Sequence, residues 1–131
     1  METRVCRAEE VDWIEAPGHF SAFSKLLVNE SHGSKYFDFR ISSYQPKGYC
    51  AAHGHETAEN IYYILKGTGI VELDGTRRLV SENSVIFIPP GVKHAIITIR
   101  ALKTSYSSWP PLPRGICRSE QRAPSPLYIT H

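Results

Sequence analysis

Gly48-Tyr-Cys-Ala-Ala-His53-Gly-His55-Glu-Thr-Ala-Glu59-Asn60-Ile-Tyr-Tyr-Ile-Leu-Lys-Gly67 is the stretch on which the fold turns. Its first two histidines stand one residue apart, so on a strand they share a face and can point at one centre. Asn60–Leu65 is aromatic and β-branched and stops at Lys66-Gly67, the pattern of a strand closed by a turn. A third histidine, His94, follows the turn Pro89-Pro90-Gly91. A ligand a few residues after His55, and another from a neighbouring strand, complete a cup around a metal ion. Imidazole suits Zn, Fe, Ni, Cu or Mn, and an added carboxylate widens the choice towards Fe and Mn. His19, His32 and His131 stand alone and read as surface or hydrogen-bonded core residues. A lone His-x-His is a weak motif, and the pattern around it carries the weight.

Outward from this stretch, strand patterns dominate. Tyr36–Tyr44 alternates Phe37, Phe39 and Ile41 against Asp38, Arg40 and Ser42, the period of a half-buried strand. Gly69–Leu73 leads into Asp74-Gly75, a strong hairpin signal, and Thr76–Val80 returns. Ser84–Ile88 is a strand stopped by the Pro-Pro-Gly turn, and His94–Ile99 starts another. Ala16–Leu27 has room for a helical turn or two, interrupted at its start by Pro17 and Gly18. Short strands joined by Gly/Pro turns predict an antiparallel sandwich or barrel. Alternation puts Phe39, Ile41, Tyr62, Ile64, Phe87 and Ile96 in its interior. Arg40 reads as solvent-facing and Lys93 as a surface residue at the mouth. Tyr62 or Tyr63 is placed to offer a ligand a hydrogen bond.

The same residues resemble a known family. Gly48–Gly67 resembles the first cupin motif, which runs Gly, His-x-His, Glu, then Gly. Asn83-Ser-Val-Ile-Phe-Ile-Pro89-Pro-Gly91-Val-Lys-His94-Ala-Ile-Ile-Thr98 resembles the second, with its Pro-x-Gly-x-x-His kept. The resemblance covers about Tyr36–Ile99 and implies an all-β fold, a double-stranded β-helix or jelly-roll-like barrel with a divalent transition metal (Fe, Mn, Ni, Zn or Cu) in its mouth. His53, His55 and His94 match ligand positions. The acidic position is ambiguous: counting back from Gly67 lands on Asn60, while counting forward from His55 fits Glu59. A carboxylate supplies charge that an amide oxygen cannot, which favours Glu59, with Asn60 the alternative. Asn83 stands where the second motif begins with Gly, and Asn tolerates a left-handed turn. Thr98 replaces the closing Asn, which is expected to weaken that turn.

The chain has 131 residues, of which 41% are hydrophobic and 21% charged, enough for one domain with a real core. Net charge is +2 without a Lys/Arg block, so no nucleic-acid partner is expected. No apolar stretch reaches the ~20 residues a membrane helix needs, and Met1–Asp12, with four acids, does not read as a signal peptide. Three widely spaced cysteines (Cys6, Cys50, Cys117) give neither a disulfide framework nor a zinc ribbon, so a cytoplasmic setting is expected.

Composition changes along the chain. Residues 1–97 hold ten Lys/Arg against twelve Asp/Glu, and residues 98–131 hold five against one, together with five of the nine prolines. The expected organisation is an N-terminal segment (1–35), a barrel (36–109) and an irregular Pro-rich tail (110–131). Joining the third base of each codon across Thr98–Pro111 to the next two permits Asn-Thr-Gly followed by an apolar run, the ending that cupin barrels use. The stretch from about Thr98 is therefore expected to be an out-of-frame product.

Three functional readings follow. The first is a small mononuclear metal cupin working as a dioxygenase or isomerase on a small molecule. The second is a non-catalytic ligand-binding or sensor barrel. The third is an inactive, frameshifted remnant. The fold hosts many activities, so the resemblance alone does not choose among them. A homodimer is expected, because an exposed strand edge invites pairing.

Overall fold

The computed structural model describes residues 3–16, 18–55 and 57–110, with the backbone alone at 51–53. Six strands form it: β1 (His19–Val28), β2 (Asp38–His53), β3 (Glu59–Leu73), β4 (Thr76–Ser81), β5 (Val85–Ile88) and β6 (His94–Trp109). All pairings are antiparallel, in the order β1-β2-β6-β3-β4, with β5 also on β3. Residues 3–16 are irregular apart from a 3-10 turn at Ala8–Glu10 and a bridge from Ile14 to Ser24.

The sheet curls on itself. Tyr62 pairs with Tyr106, twelve residues along β6 from His94. A straight strand would separate those positions by ~40 Å. The Tyr62 and His94 rings nevertheless lie 6.4 Å apart, edge to face. The enclosed face carries Tyr44, Tyr62, Ile64, Val71, Ile88, Ile96 and Leu102, all nearly water-free. Each such side chain contributes about 1.5–3 kcal/mol by leaving water.

Turn chemistry closes the loops as the residues dictate. Asp74 (φ 46°) and Gly75 (φ 83°) both take left-handed backbone, the geometry that joins two twisted strands in two residues. Asn83 is left-handed as well (φ 69°), and its Oδ1 accepts a 2.7 Å hydrogen bond from the Tyr63 hydroxyl. Its N–H donates to the Ile64 carbonyl. Asn thus serves there in place of Gly.

Several expectations change. Residues 19–28 form β1 rather than helical turns: Ala22 and Ser24 face inward on alternate positions, and Ser24 Oγ meets Ser42 Oγ at 2.8 Å. The sheet thus begins before residue 36. On β2 the alternation is present with inverted phase. Asp38, Ser42 and Tyr44 are buried, whereas Phe37 is 59% and Phe39 36% exposed and Ile41 shares their face. A period of two says which residues share a face, not which face is inside, and paired polar groups made the interior acceptable here. On β5, Ile86 and Ile88 are inside and Phe87 is outside. Of the six side chains expected in the interior, Tyr62, Ile64 and Ile96 are there.

No turn occurs at Thr98. It lies within β6, buried, and β6 continues to Trp109 with Leu102, Thr104, Tyr106 and Ser108 inward. The expected Pro-rich tail lies, apart from Pro110, outside the described residues. No helix among the described residues is long and apolar enough to cross a membrane.

Candidate metal centre

Two loops are tied together at one end of the barrel. The turn Pro89-Pro90-Gly91 puts Gly91 in left-handed backbone (φ 82°), which aims its N–H at the His55 carbonyl, 2.6 Å away. Three residues later the chain enters β6 at His94. The hairpin tip is fastened beside it, since Lys93 N–H donates to Asp74 Oδ1 at 2.9 Å and Asp74 N–H to the Lys93 carbonyl at 2.8 Å. A recess of about 370 Å³ opens there, lined by Glu72, Asp74, Gly75, Lys93, His94 and Ala95.

His94 is 1% exposed, and its Nδ1 lies 3.1 Å from the Val92 carbonyl oxygen. A carbonyl only accepts, so a neutral ring carries its proton on Nδ1 and keeps a lone pair on Nε2, the form a metal needs. The His55 ring centroid lies 5.6 Å from that of His94, with planes tilted by 55°. Two imidazoles on one ion, each bound at ~2.1 Å, hold their centroids roughly 4.5–6 Å apart. The pair therefore fits a shared transition metal. At the Cα level, His53 of β2 is the direct partner of His94, after a bulge between Cys50 and His53. Bulges re-aim strand ends beside sites. Among the described side chains no three of His, Cys, Asp or Glu form a metal-holding group; the His53 side chain is not one of those described.

Glu59 and Asn60 fall on opposite faces. Glu59 opens β3 on the exposed side, across from Trp109, while Asn60 is 1% exposed and shares the inner face with Tyr62. Asn60 Oδ1 accepts a 2.8 Å hydrogen bond from the Tyr106 hydroxyl. Its buried Nδ2 makes no hydrogen bond to a described residue.

The interior also holds an ion pair built on Arg40, which the alternation predicts to face solvent. Arg40 donates from Nε to Asp38 Oδ1 at 2.9 Å and from Nη2 to Oδ2 at 2.7 Å. Side-chain exposure is 14% for Arg40 and 3% for Asp38. The guanidinium carbon lies 5.3 Å from the Tyr106 ring centroid, and the Tyr106 ring lies 4.8 Å from Tyr62. The signal for this network was the Asp-x-Arg spacing, which puts both groups on one face wherever that face points. Lys93 is exposed at the recess, as expected. Tyr63 faces outward on Asn83, which leaves Tyr62 as the inward tyrosine.

The curled sheet and its paired loops have the double-stranded β-helix fold of the cupins. Residues 40–101 match the family model described as a cupin domain. The fold of a predicted oxalate decarboxylase from Thermotoga maritima superposes with a TM-score of 0.72 at 24% identity, covering 83% of this chain and 100% of that one. The polyketide cyclase RemF from Streptomyces resistomycificus gives 0.69 at 25% identity, covering 92% and 89%. In sequence, the chain is 43% identical over 61 residues to protein MJ1618 of Methanocaldococcus jannaschii. That match spans 45% of this chain and 49% of the relative, about half of each.

Proposed function

We propose that the barrel is a small-molecule site built on one divalent transition metal, held by His53, His55 and His94, and that it performs dioxygenase or isomerase chemistry. The observation that carries this reading is the 5.6 Å approach of the His55 and His94 rings, with His94 Nδ1 occupied by Val92. A bound metal would supply a Lewis-acid centre with positions left open for a ligand. The chain's own residues do the rest. Val92 holds His94 in its ligand tautomer. Tyr62 packs its ring against His94 and limits the imidazole's swing. Ile64, Ile96 and Leu102, all buried, keep the barrel interior dry, which strengthens polar contacts made within it. Glu59, directed outward, is left out of the donor set, so a metal held by the three imidazoles would have positions open to a ligand. Two of the structural neighbours are named as a decarboxylase and a cyclase, which agrees with small organic substrates.

The second reading is a ligand-binding barrel without turnover. Asn60 favours it, since a neutral amide stands on the inner face where a carboxylate would have been available as base or ligand. Oxygen uptake and substrate isomerisation by metal-loaded protein, over a panel of small enolic and phenolic compounds, separate the two. Turnover supports the enzyme; saturable binding of the same compounds without turnover supports the sensor.

A homodimer is part of the proposal. Two rows run across the outer sheet face, Phe39-Ser107-Ile61-Phe87 and Ile41-Ser105-Tyr63-Val85, so apolar columns flank a furrow of serines. At ~4.8 Å between strands and ~6.8 Å between rows, with Val28, Leu65 and Trp109 at its rim, the patch covers roughly 400 Å². A patch of that size is comparable to the largest apolar patch on a typical monomer, which is often functional. The out-of-frame origin of the stretch from about Thr98 is a separate proposal, supported by the composition change, and its codons test it.

A further inference from the structure

We infer that Asn60 is a recognition residue whose amide N–H groups bind a carboxylate oxygen of the ligand, and that Tyr106 holds it in that orientation. An amide has one acceptor end and one donor end. In Asn60 the acceptor end is spoken for, because Oδ1 takes the Tyr106 hydroxyl proton at 2.8 Å. The NH2 end therefore points away from Tyr106. It is buried and makes no hydrogen bond to a described residue, a costly arrangement unless something arrives to accept it.

The orientation of the amide is itself built. Arg40 lies over the Tyr106 ring at 5.3 Å, and a cation there draws electron density from the phenol and makes its O–H the better donor. Asp38 fixes Arg40 through two parallel hydrogen bonds, and Tyr62 bounds the other side of the ring at 4.8 Å. The chain Asp38–Arg40–Tyr106–Asn60 thus ends in an oriented donor on the inner face that Tyr62 shares with it. The Asp38–Arg40 pair is neutral overall, and Asn60 adds no negative charge. An anionic oxygen consequently meets a donor there and no repulsion, which a glutamate in the same place would have supplied.

This assignment rests on the reading of the barrel as a small-molecule site, and it survives if the metal does not. The test follows the Asn60 side-chain NH2 signals by 1H–15N NMR, assigned by their loss in Asn60→Asp. Formate, acetate, pyruvate and benzoate are titrated in turn into metal-free and Zn2+-loaded protein, with the corresponding amides as neutral controls. The expected result is a saturable shift with at least one carboxylate and a weaker response to its amide. Tyr106→Phe, with the dispersed spectrum of a folded barrel, should reduce the response, and Asn60→Asp should weaken carboxylate binding by about tenfold or more. Asn60→Gln should recover part of it. Asn60 signals that ignore every carboxylate in both forms overturn the inference, even where Zn2+ moves the His55 and His94 ring signals. Zn2+ alone moving Asn60 as strongly as the histidines, with Tyr106→Phe inert, also overturns it, because the oxygen would then be a metal ligand. Histidine signals indifferent to Zn2+ count against the metal reading alone, and the carboxylate response then decides the inference by itself.

Discussion

The Gly91 N–H donates to the His55 carbonyl at 2.6 Å, so one backbone hydrogen bond joins the loop that carries His55, just after His53 ends β2, to the turn that launches His94. Chain segments about forty residues apart thereby present their rings to each other. Gly91 sits at φ 82° with open space where a Cβ would be, so the demand there is conformational and not steric. Gly91→Ala should cost about 1–2 kcal/mol in urea unfolding, the cost of a left-handed L-residue. It should also weaken metal binding, by loosening His55 against His94. Unchanged stability together with unchanged metal affinity would contradict this role of the turn.

Asp38 and Arg40 form a pair whose halves depend on each other. Asp38→Ala leaves a largely buried guanidinium without its counter-charge and should destabilise the barrel by about 3 kcal/mol or more. The double change Asp38→Leu with Arg40→Met removes both charges and should cost clearly less than the sum of the single changes. Chemical denaturation of the four proteins in the cycle reads the coupling directly, and strict additivity would contradict a buried pair.

The outer sheet face predicts an association state. Phe87, 53% exposed, and Ile61, 48% exposed, lie side by side on β5 and β3. Phe87→Lys and Ile61→Asp should convert a dimer to a monomer in light scattering coupled to gel filtration. Because both side chains leave the core untouched, thermal unfolding should keep its cooperativity. A wild-type protein that is monomeric at high concentration would contradict the proposed interface.

A small pH dependence resides in the turn between β1 and β2. The His32 Nδ1 accepts the Asn29 N–H at 3.1 Å, and the Asn29 side chain caps Ser31 in return. Partial burial, with the Arg4 charge adding to it, holds the His32 pKa below its ordinary value. A depressed histidine favours the folded state when neutral. Its contribution is therefore full above the unfolded value of ~6.5 and is lost as pH falls through the lower folded value. The stability difference between wild type and His32→Gln should shrink on acidification across that window; a difference that grows would reverse the sign.

Legibility varied with the kind of information required. The hairpin at Asp74-Gly75, the left-handed Asn83 and the turn before His94 are local demands, and each can be read from one or two residues. The resemblance at Gly48–Gly67 and Asn83–Thr98 supplied the barrel. Phase on β2 was not readable, because Phe39 and Arg40 alternate equally well with either one inside. The deciding factor was Asp38, two residues from Arg40 and able to neutralise it in the interior. The strand at residues 19–28 carries little sequence signal, because its inward residues include Ala22 and Ser24, small side chains that leave no apolar stripe. Glu59 and Asn60 differed by one position, and only the register of β3 against β6 assigns each to its face.

The central claim is that imidazoles from β2, the loop after it and β6 hold one metal ion. Elemental analysis of protein purified without chelator, beside His53→Ala, His55→Ala and His94→Ala variants shown by circular dichroism to be folded, tests it most directly. The account predicts about one equivalent of a transition metal in the wild type and less than about one tenth in His94→Ala. A wild-type protein that takes up no stoichiometric metal from a Zn, Fe, Mn, Ni or Cu supply, or a His94→Ala variant that retains it in full, would contradict the account.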